Sequence, residues 1–402
     1  MTNTTTDPSS RQKASVREAD MERPAVSSAA VTPQPRRAIL AMPEYHPPLA
    51  DRKLLRLDFN ENTFAPSPRV AEVLQSVTLE SLTVYPEREP VERKVAAHLN
   101  LSPAEILLTN AVDEAIHLIC FTFLEEGDEA IVATPSFFMY DVNVASMGAT
   151  LTRIQADDSL AFPFERMLAA VNPKTKLIIL ASPNNPTGAI TTRAQIHAFA
   201  KAAPQAVIFV DEAYYHFHGE TALGDFRDIP NILVARTFSK AYGLANLRIG
   251  IIAANPALIA HLRKAASPYN VNGVALRVLE AAIEDDAYVE WYTSQIRNGR
   301  VRLEAALTEL QIPHWPSAAN FILTRIGPRH KEFVSTVRTQ GVLLRNRSSD
   351  PGLEGCVRIT VGVEDQVTKG IEAVRAAIAE MSWTPGETTA PNTSLKEDRE
   401  YE

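Results

Sequence analysis

The segment Thr237-Phe238-Ser239-Lys240-Ala241-Tyr242-Gly243 sets a lysine among small hydroxyl side chains, just after the apolar run Ile232-Leu233-Val234-Ala235. Arg248 follows shortly behind. An amine so placed suits imine formation with a carbonyl compound, while the hydroxyls and the guanidinium grip a phosphate on that compound.

A carbonyl cofactor of that kind, pyridoxal phosphate, makes further demands, and the chain holds a candidate for each. Its ring nitrogen needs a carboxylate. Asp211 ends the run Ala206-Val207-Ile208-Phe209-Val210, and Tyr214 stands three residues on, able to reach the ring's phenolic oxygen. Asn185, in the turn Ser182-Pro183-Asn184-Asn185-Pro186-Thr187-Gly188, can reach the same oxygen. Phe137 can lie on the ring face. Asp113 opens a helix after Leu108-Thr109-Asn110-Ala111-Val112, so backbone N–H groups at Val112 and Asp113 can meet the phosphate. Arg358, in Val357-Arg358-Ile359-Thr360-Val361-Gly362, offers a fork for a substrate carboxylate. Taken singly, most of these have a plainer reading as a helix start, a tight turn, a core aromatic or a surface ion pair. Their order along the chain, each just after an apolar run, argues for one site.

The elements that position them follow from hydrophobic patterning. Apolar runs at Ile106–Thr109, Ala130–Thr134, Lys176–Ala181, Ala206–Val210, Ile232–Arg236 and Ile249–Ala253 read as strands buried on both faces. Amphipathic stretches such as Asp113–Leu124 and Arg193–Ala202 lie between them. This βαβα alternation predicts a three-layer α/β/α domain with a mainly parallel sheet, which gathers ligands at the carboxyl ends of its strands. A long helix over Tyr288–Leu310 leads out of it. Strands at Asn320–Thr324, Val342–Arg345 and Cys356–Val361, with helices Arg329–Gln340 and Glu364–Met381, predict a small α+β domain. The expected division is a disordered extension over 1–38, a segment at 39–75 joining the small domain, a large cofactor domain at 76–290, the small domain at 291–382 and a disordered tail at 383–402.

The chain resembles the fold-type I pyridoxal-phosphate-dependent aminotransferases, and within them the histidinol-phosphate group. The resemblance runs from about Leu57 to Met381. It is carried by Asn60-Glu61-Asn62, Tyr85-Pro86-Glu87, Asp113-Glu114, Ser182–Gly188, Asp211-Glu212-Ala213-Tyr214-Tyr215, Arg236–Lys240, Leu343–Arg345 and Val357–Gly362. It implies that Lys240 carries the cofactor and that Thr237, Ser239 and Arg248 hold its phosphate. Tyr85 would reach the phosphate of a neighbouring subunit's cofactor, making the active unit a homodimer. Arg358 would bind the substrate α-carboxylate and Arg345 the distal anion, with Asn62 and Phe64 at the mouth. The chain departs from the pattern at Ala111-Val112, where Gly and a small residue are usual, and at Asn246. It departs also at Phe137 and Phe64, where many relatives have tyrosine.

The implied reaction is amino transfer between histidinol phosphate and 2-oxoglutarate, a step of histidine biosynthesis, with small amino and 2-oxo acids as partners. Alternatives are an aromatic or broad-range aminotransferase, a decarboxylase of threonine phosphate, and a regulatory protein on this scaffold. The net charge of -8 gives no global basic footprint for nucleic acid. No apolar run is long enough to span a membrane, and the expected compartment is the cytoplasm. The two cysteines, Cys120 and Cys356, read as reduced thiols, and no metal site is expected.

Overall fold

The computed structural model describes residues 32–40, 42 and 51–386. Most of the 1–38 extension and of the 383–402 tail therefore lies outside the described residues. Within them, Arg37–Leu40 forms a helical turn, and Arg36 donates to the Ser146 carbonyl at 2.6 Å. Trp383 is buried, its indole N–H on the Ile326 carbonyl at 3.0 Å.

The strands are β1 Leu55–Leu57, β2 Ile106–Thr109, β3 Glu129–Thr134, β4 Thr150–Gln155, β5 Thr175–Ala181 and β6 Val207–Asp211. They continue as β7 Ile232–Thr237, β8 Gly250–Ala254, β9 Phe321–Arg325, β10 Val342–Asn346 and β11 Cys356–Thr360. The large sheet has the order β2-β8-β7-β6-β5-β3-β4. Its strands run parallel except β8, which lies antiparallel between β2 and β7. Alternate residues of each inner strand enter two separate apolar layers. Leu233 and Ala235 face one side with Ile116 and Ile119 of helix Ala111–Phe123. Ile232 and Val234 face the other with Ile196 and Phe199 of helix Arg193–Ala202. Both faces are dry, so these strands read as continuous apolar runs.

The register brings the chemistry to one rim. Ala181 lies beside Asp211, and Asp211 beside Ala235. Thr109 and Thr237 both lie beside Gly250. The carboxyl ends of β2, β5, β6 and β7 thus meet the start of β8.

The second sheet has the order β1-β10-β11-β9. β1 pairs with β10, so the chain before residue 60 completes the smaller sheet. Helix Pro68–Gln75 packs instead on helix Gly273–Ala282 of the large unit. The 24-residue helix Asp286–Glu309 runs unbroken past residues 290 and 291 and ties the two units together.

Candidate active site

A cavity of about 680 Å³ opens between the rim of the large sheet and the β10–β11 hairpin. That size lies within the roughly 300–1,000 Å³ of small-molecule sites. Asp211 sits on its floor at the end of β6, and Lys240 on its wall, just past β7.

Asp211 is buried. It accepts from the Tyr140 hydroxyl at 2.6 Å and from the Ala213 N–H at 2.9 Å. Burial pushes its carboxyl up to about 6, with the Tyr140 and Ala213 hydrogen bonds opposing. Burial also drives the Tyr140 phenol well above its ordinary value, helped by the Asp211 charge, so it stays a neutral donor. A buried carboxylate with only neutral donors beside it, open to a cavity, suits a cationic N–H from a ligand. Tyr214 lines the same wall, its hydroxyl 3.0 Å from the Asn60 amide nitrogen. The motif around Asp211 divides its work. Asp211 and Tyr214 face the cavity, while Glu212 pairs with Arg236 at 2.9 Å and the Tyr215 ring lies 3.5 Å under that guanidinium.

Lys240 reaches the Phe59 carbonyl at 3.3 Å, and its ammonium nitrogen is 5.6 Å from the Tyr214 ring centre. Around it the loop is set by hydroxyls: Thr237 donates to Ser239 at 2.8 Å and accepts from the Ser239 N–H at 3.1 Å. Opposite stands the N-terminus of helix Ala111–Phe123, whose first N–H groups have no partner one turn back. Val112 and Asp113 line the cavity there. Arg248 donates to Asp113 at 2.5 Å. Two non-glycine residues of this corner, Ala111 (φ 63°) and Arg248 (φ 52°), hold left-handed backbone. Such strain collects at ligand clamps. A Cβ on Gly250 would lie 2.7 Å from the Arg236 carbonyl and 3.0 Å from the Ala111 backbone. Only glycine allows the close approach. Hydroxyls, helix N–H groups and a guanidinium together make a cradle for a phosphate.

Arg345 and Arg358 are direct cross-strand neighbours on β10 and β11. Like charges opposite one another are destabilising, which points to anions as their ligands. Arg358 bonds the Asn185 side chain and the Asp58 carbonyl, the latter at 2.6 Å. Burial, with Arg347 and Arg345 close by, pushes its guanidinium down to about 9. An arriving carboxylate relieves that cost. Arg345 lies 5.2 Å over the Phe59 ring. Arg347 also lines the cavity and pairs with Asp350, and its Nε is buried without a hydrogen bond.

Phe137 lines the cavity and meets Tyr140 edge-on at 5.8 Å. Three residues read as part of the site lie off its walls. Asn62 donates to the Tyr288 hydroxyl at 2.9 Å. Phe64 packs on Trp291 at 5.1 Å. Tyr85 is 74% exposed and stacks on Tyr269 at 4.4 Å. Sequence reasoning passed over Tyr140, Arg347 and the role of Asn60. Helical spacing from Phe137 could have found Tyr140, and the strand alternation Arg345–Arg347 could have found the third guanidinium. Cys120 and Cys356 are free and buried, their thiols pushed up by burial to about 12 and about 11. Among the described residues there is no cluster suited to a metal and no helix long and apolar enough to cross a membrane.

A family model described as aminotransferase class I and II matches residues 52–374. A histidinol-phosphate aminotransferase of Brevibacillus brevis is 32% identical over 361 residues, which cover 86% of this chain and 98% of that protein. One from Symbiobacterium thermophilum is 35% identical over 334 residues, covering 81% and 91%. Among solved structures, histidinol-phosphate aminotransferase from Sinorhizobium meliloti in complex with pyridoxal-5'-phosphate superposes with a TM-score of 0.78. Its identity is 25%, over 88% of this chain and 99% of that one. An aspartate aminotransferase from Thermus thermophilus shares the fold, with a TM-score of 0.69 at 23% identity, covering 80% and 91%.

Proposed function

The chain belongs to the class I and II aminotransferases, and from that premise we propose that it transfers the amino group of histidinol phosphate to 2-oxoglutarate, reversibly, with the residues around Lys240 as its site. It is a pyridoxal-phosphate-dependent enzyme with the fold-type I architecture, and amino and 2-oxo acids are its substrates. One observation carries the site reading: Asp211 is a buried carboxylate facing a cavity, and the hydrogen-bond donors that hold it among the described residues, the Tyr140 hydroxyl and the Ala213 N–H, are neutral.

Pyridoxal phosphate, when bound, supplies the carbonyl that takes up the amino group and a cationic ring that draws electron density from the substrate α-carbon. In our reading Asp211 holds the ring nitrogen protonated, and Tyr140 keeps that carboxylate oriented. Thr237, Ser239, Arg248 and the N–H groups of Val112 and Asp113 hold the phosphate. Tyr214 and Asn185 bond the phenolic oxygen, and Phe137 covers the ring. Arg358 fixes the α-carboxylate and so sets the α C–H bond toward Lys240. Lys240, on the cavity wall, would be the residue that holds the cofactor, and its amine would serve as the base for the proton on the substrate α-carbon. Arg345 receives the distal anion. A carboxylate or a phosphate fits, and the further guanidinium of Arg347 favours the more highly charged phosphate.

A second copy of the chain completes the site in this proposal. Leu79, Leu82, Val84 and Tyr85 stand exposed on one segment, too apolar a row to face water by default. Tyr85 would reach the other copy's cofactor phosphate from there. In this reading residues 76–290 form the large cofactor-binding domain and 291–382 the small C-terminal domain, with Asn62 on Tyr288 and Phe64 on Trp291 near the boundary between them.

Assays with histidinol phosphate, phenylalanine and threonine phosphate, each with 2-oxoglutarate, test the substrate. Histidinol phosphate is expected to give the highest kcat/KM. A preference for phenylalanine would instead support the aromatic reading, which Phe64 favours by lacking a hydroxyl.

A further inference from the structure

Three consecutive residues just past β1 address three functional side chains. The Asp58 carbonyl accepts from Arg358 at 2.6 Å, the Phe59 carbonyl accepts from Lys240 at 3.3 Å, and the Asn60 amide donates to the Tyr214 hydroxyl at 3.0 Å. The segment belongs to the smaller sheet, while Lys240 and Tyr214 belong to the larger unit.

Asn60 is the most constrained of the three. It is 1% exposed and holds φ 55°, a left-handed backbone that asparagine tolerates better than most residues. Its carbonyl accepts from Asn320 at 3.1 Å. Its N–H donates to the Thr360 hydroxyl oxygen at 3.0 Å, and that hydroxyl lies 3.1 Å from the Asn60 side-chain oxygen. The proton inventory favours one arrangement. The Thr360 oxygen accepts from the Asn60 N–H, and its own proton finds an acceptor in Asn60 Oδ1 at 3.1 Å, whereas a flipped amide would put a second donor on the Thr360 oxygen and take that acceptor away. With Oδ1 taken by a donor, the amide nitrogen is the group that faces Tyr214. The Tyr214 oxygen therefore accepts from Asn60, and its single proton must point elsewhere.

We infer that Asn60, oriented by Thr360, is a positioning residue that turns the Tyr214 hydroxyl proton into the cavity, toward the phenolic oxygen of the bound cofactor. The inference rests on the proposed contact between Tyr214 and that oxygen. A tyrosine without a fixed donor behind it can turn its proton to any nearby acceptor. With Asn60 behind it, the hydroxyl is a committed donor before any ligand arrives. The Tyr214 ring is itself fixed, edge-on to Phe321 at 5.3 Å. The ionisable groups around it are Lys240 from its loop, Arg358 from β11, Asp211 from β6 and Tyr140 from helix Met139–Ser146, none of which the variants below alter.

The test is a pH titration of the visible absorption of the bound cofactor in the holoenzyme. A donor to the phenolic oxygen favours its charged form, so weakening that donor raises the midpoint. Two neutral variants remove the device from opposite ends. Asn60→Gly keeps the left-handed backbone and deletes the amide; Thr360→Val keeps the shape and deletes the hydroxyl. Both, like Tyr214→Phe, are expected to raise the midpoint, by ~0.5–1 pH unit. Thr360→Ser should restore the wild-type value. In the Tyr214→Phe background Asn60→Gly should add no further shift, which a merely structural role for Asn60 would not predict. A midpoint unmoved by Asn60→Gly and Thr360→Val, while Tyr214→Phe moves it, overturns the inference alone. An Asn60→Gly shift that persists in full in the Tyr214→Phe background also overturns it. A midpoint unmoved by Tyr214→Phe removes the Tyr214 contact and the inference with it.

Discussion

Asp211 without its ligand is a carboxylate that would rather be protonated, and this has a thermodynamic signature. Its folded value, about 6, lies above the ordinary 3.8. The folded apo protein therefore binds more protons than the unfolded chain between those values. Asp211 favours the fold at low pH, and that contribution is lost as pH rises through about 6, up to about 3 kcal/mol in all. Chemical denaturation of cofactor-free wild type and Asp211→Asn across pH 4 to 7 should show the wild type falling relative to the variant as pH rises. The Asn variant should also lower kcat/KM of the holoenzyme by on the order of 10²-fold or more. The guanidiniums sort the substrates. Arg347→Gln is expected to lower kcat/KM for histidinol phosphate by about 10–100-fold, the range of a charge-assisted hydrogen bond, and to leave phenylalanine nearly untouched. Equal losses on both would remove Arg347 from the distal subsite. At this scale the sequence spoke through residues that follow strands, such as Asp211, Asn185 and Lys240, because strand ends converge. Tyr140 and Asn60 were silent. Tyr140 acts from within a helix, and Asn60 acts through Thr360, 300 positions away.

The phosphate corner is where elements press on one another. Helix Ala111–Phe123 begins on a left-handed alanine, at a cost of roughly 1–2 kcal/mol. Ala111→Gly should recover about 1 kcal/mol in equilibrium unfolding with cofactor affinity kept. Gly250→Ala should do the reverse, because its methyl has no room against the Arg236 carbonyl and the Ala111 backbone. It is expected to cost ~1–3 kcal/mol of stability and to weaken pyridoxal phosphate binding by fluorescence titration. The inner strands were legible to within a residue, since burial on both faces makes them apolar throughout. β4 was not foreseen: at the sheet edge its Thr150–Gln155 has only Leu151 and Ile154 as apolar residues and buries none of its side chains fully, so it lacks that signature. β1, with three residues, is defined by its pairing with β10 rather than by any period of its own.

The whole molecule joins two sheets through the long helix Asp286–Glu309 and through the segment 58–60, which ties the smaller sheet to the larger unit. Within a single chain Tyr85 is exposed and does not line the cavity, and the proposed second copy accounts for it. Tyr85→Ala should keep the dimer, measured by light scattering, yet loosen the cofactor. Arg and Asp substitutions at Leu79 and Val84 should split the dimer. The central claim is that these residues together move an amino group from a phosphorylated donor. The most direct measurement mixes the purified holoenzyme with histidinol phosphate alone, without any 2-oxo acid, and quantifies the oxo product by mass spectrometry. The account predicts one product per Lys240 site in the wild type and none in Lys240→Ala. Wild-type holoenzyme that yields no product from histidinol phosphate would contradict it, as would Lys240→Ala protein that yields product at the wild-type rate.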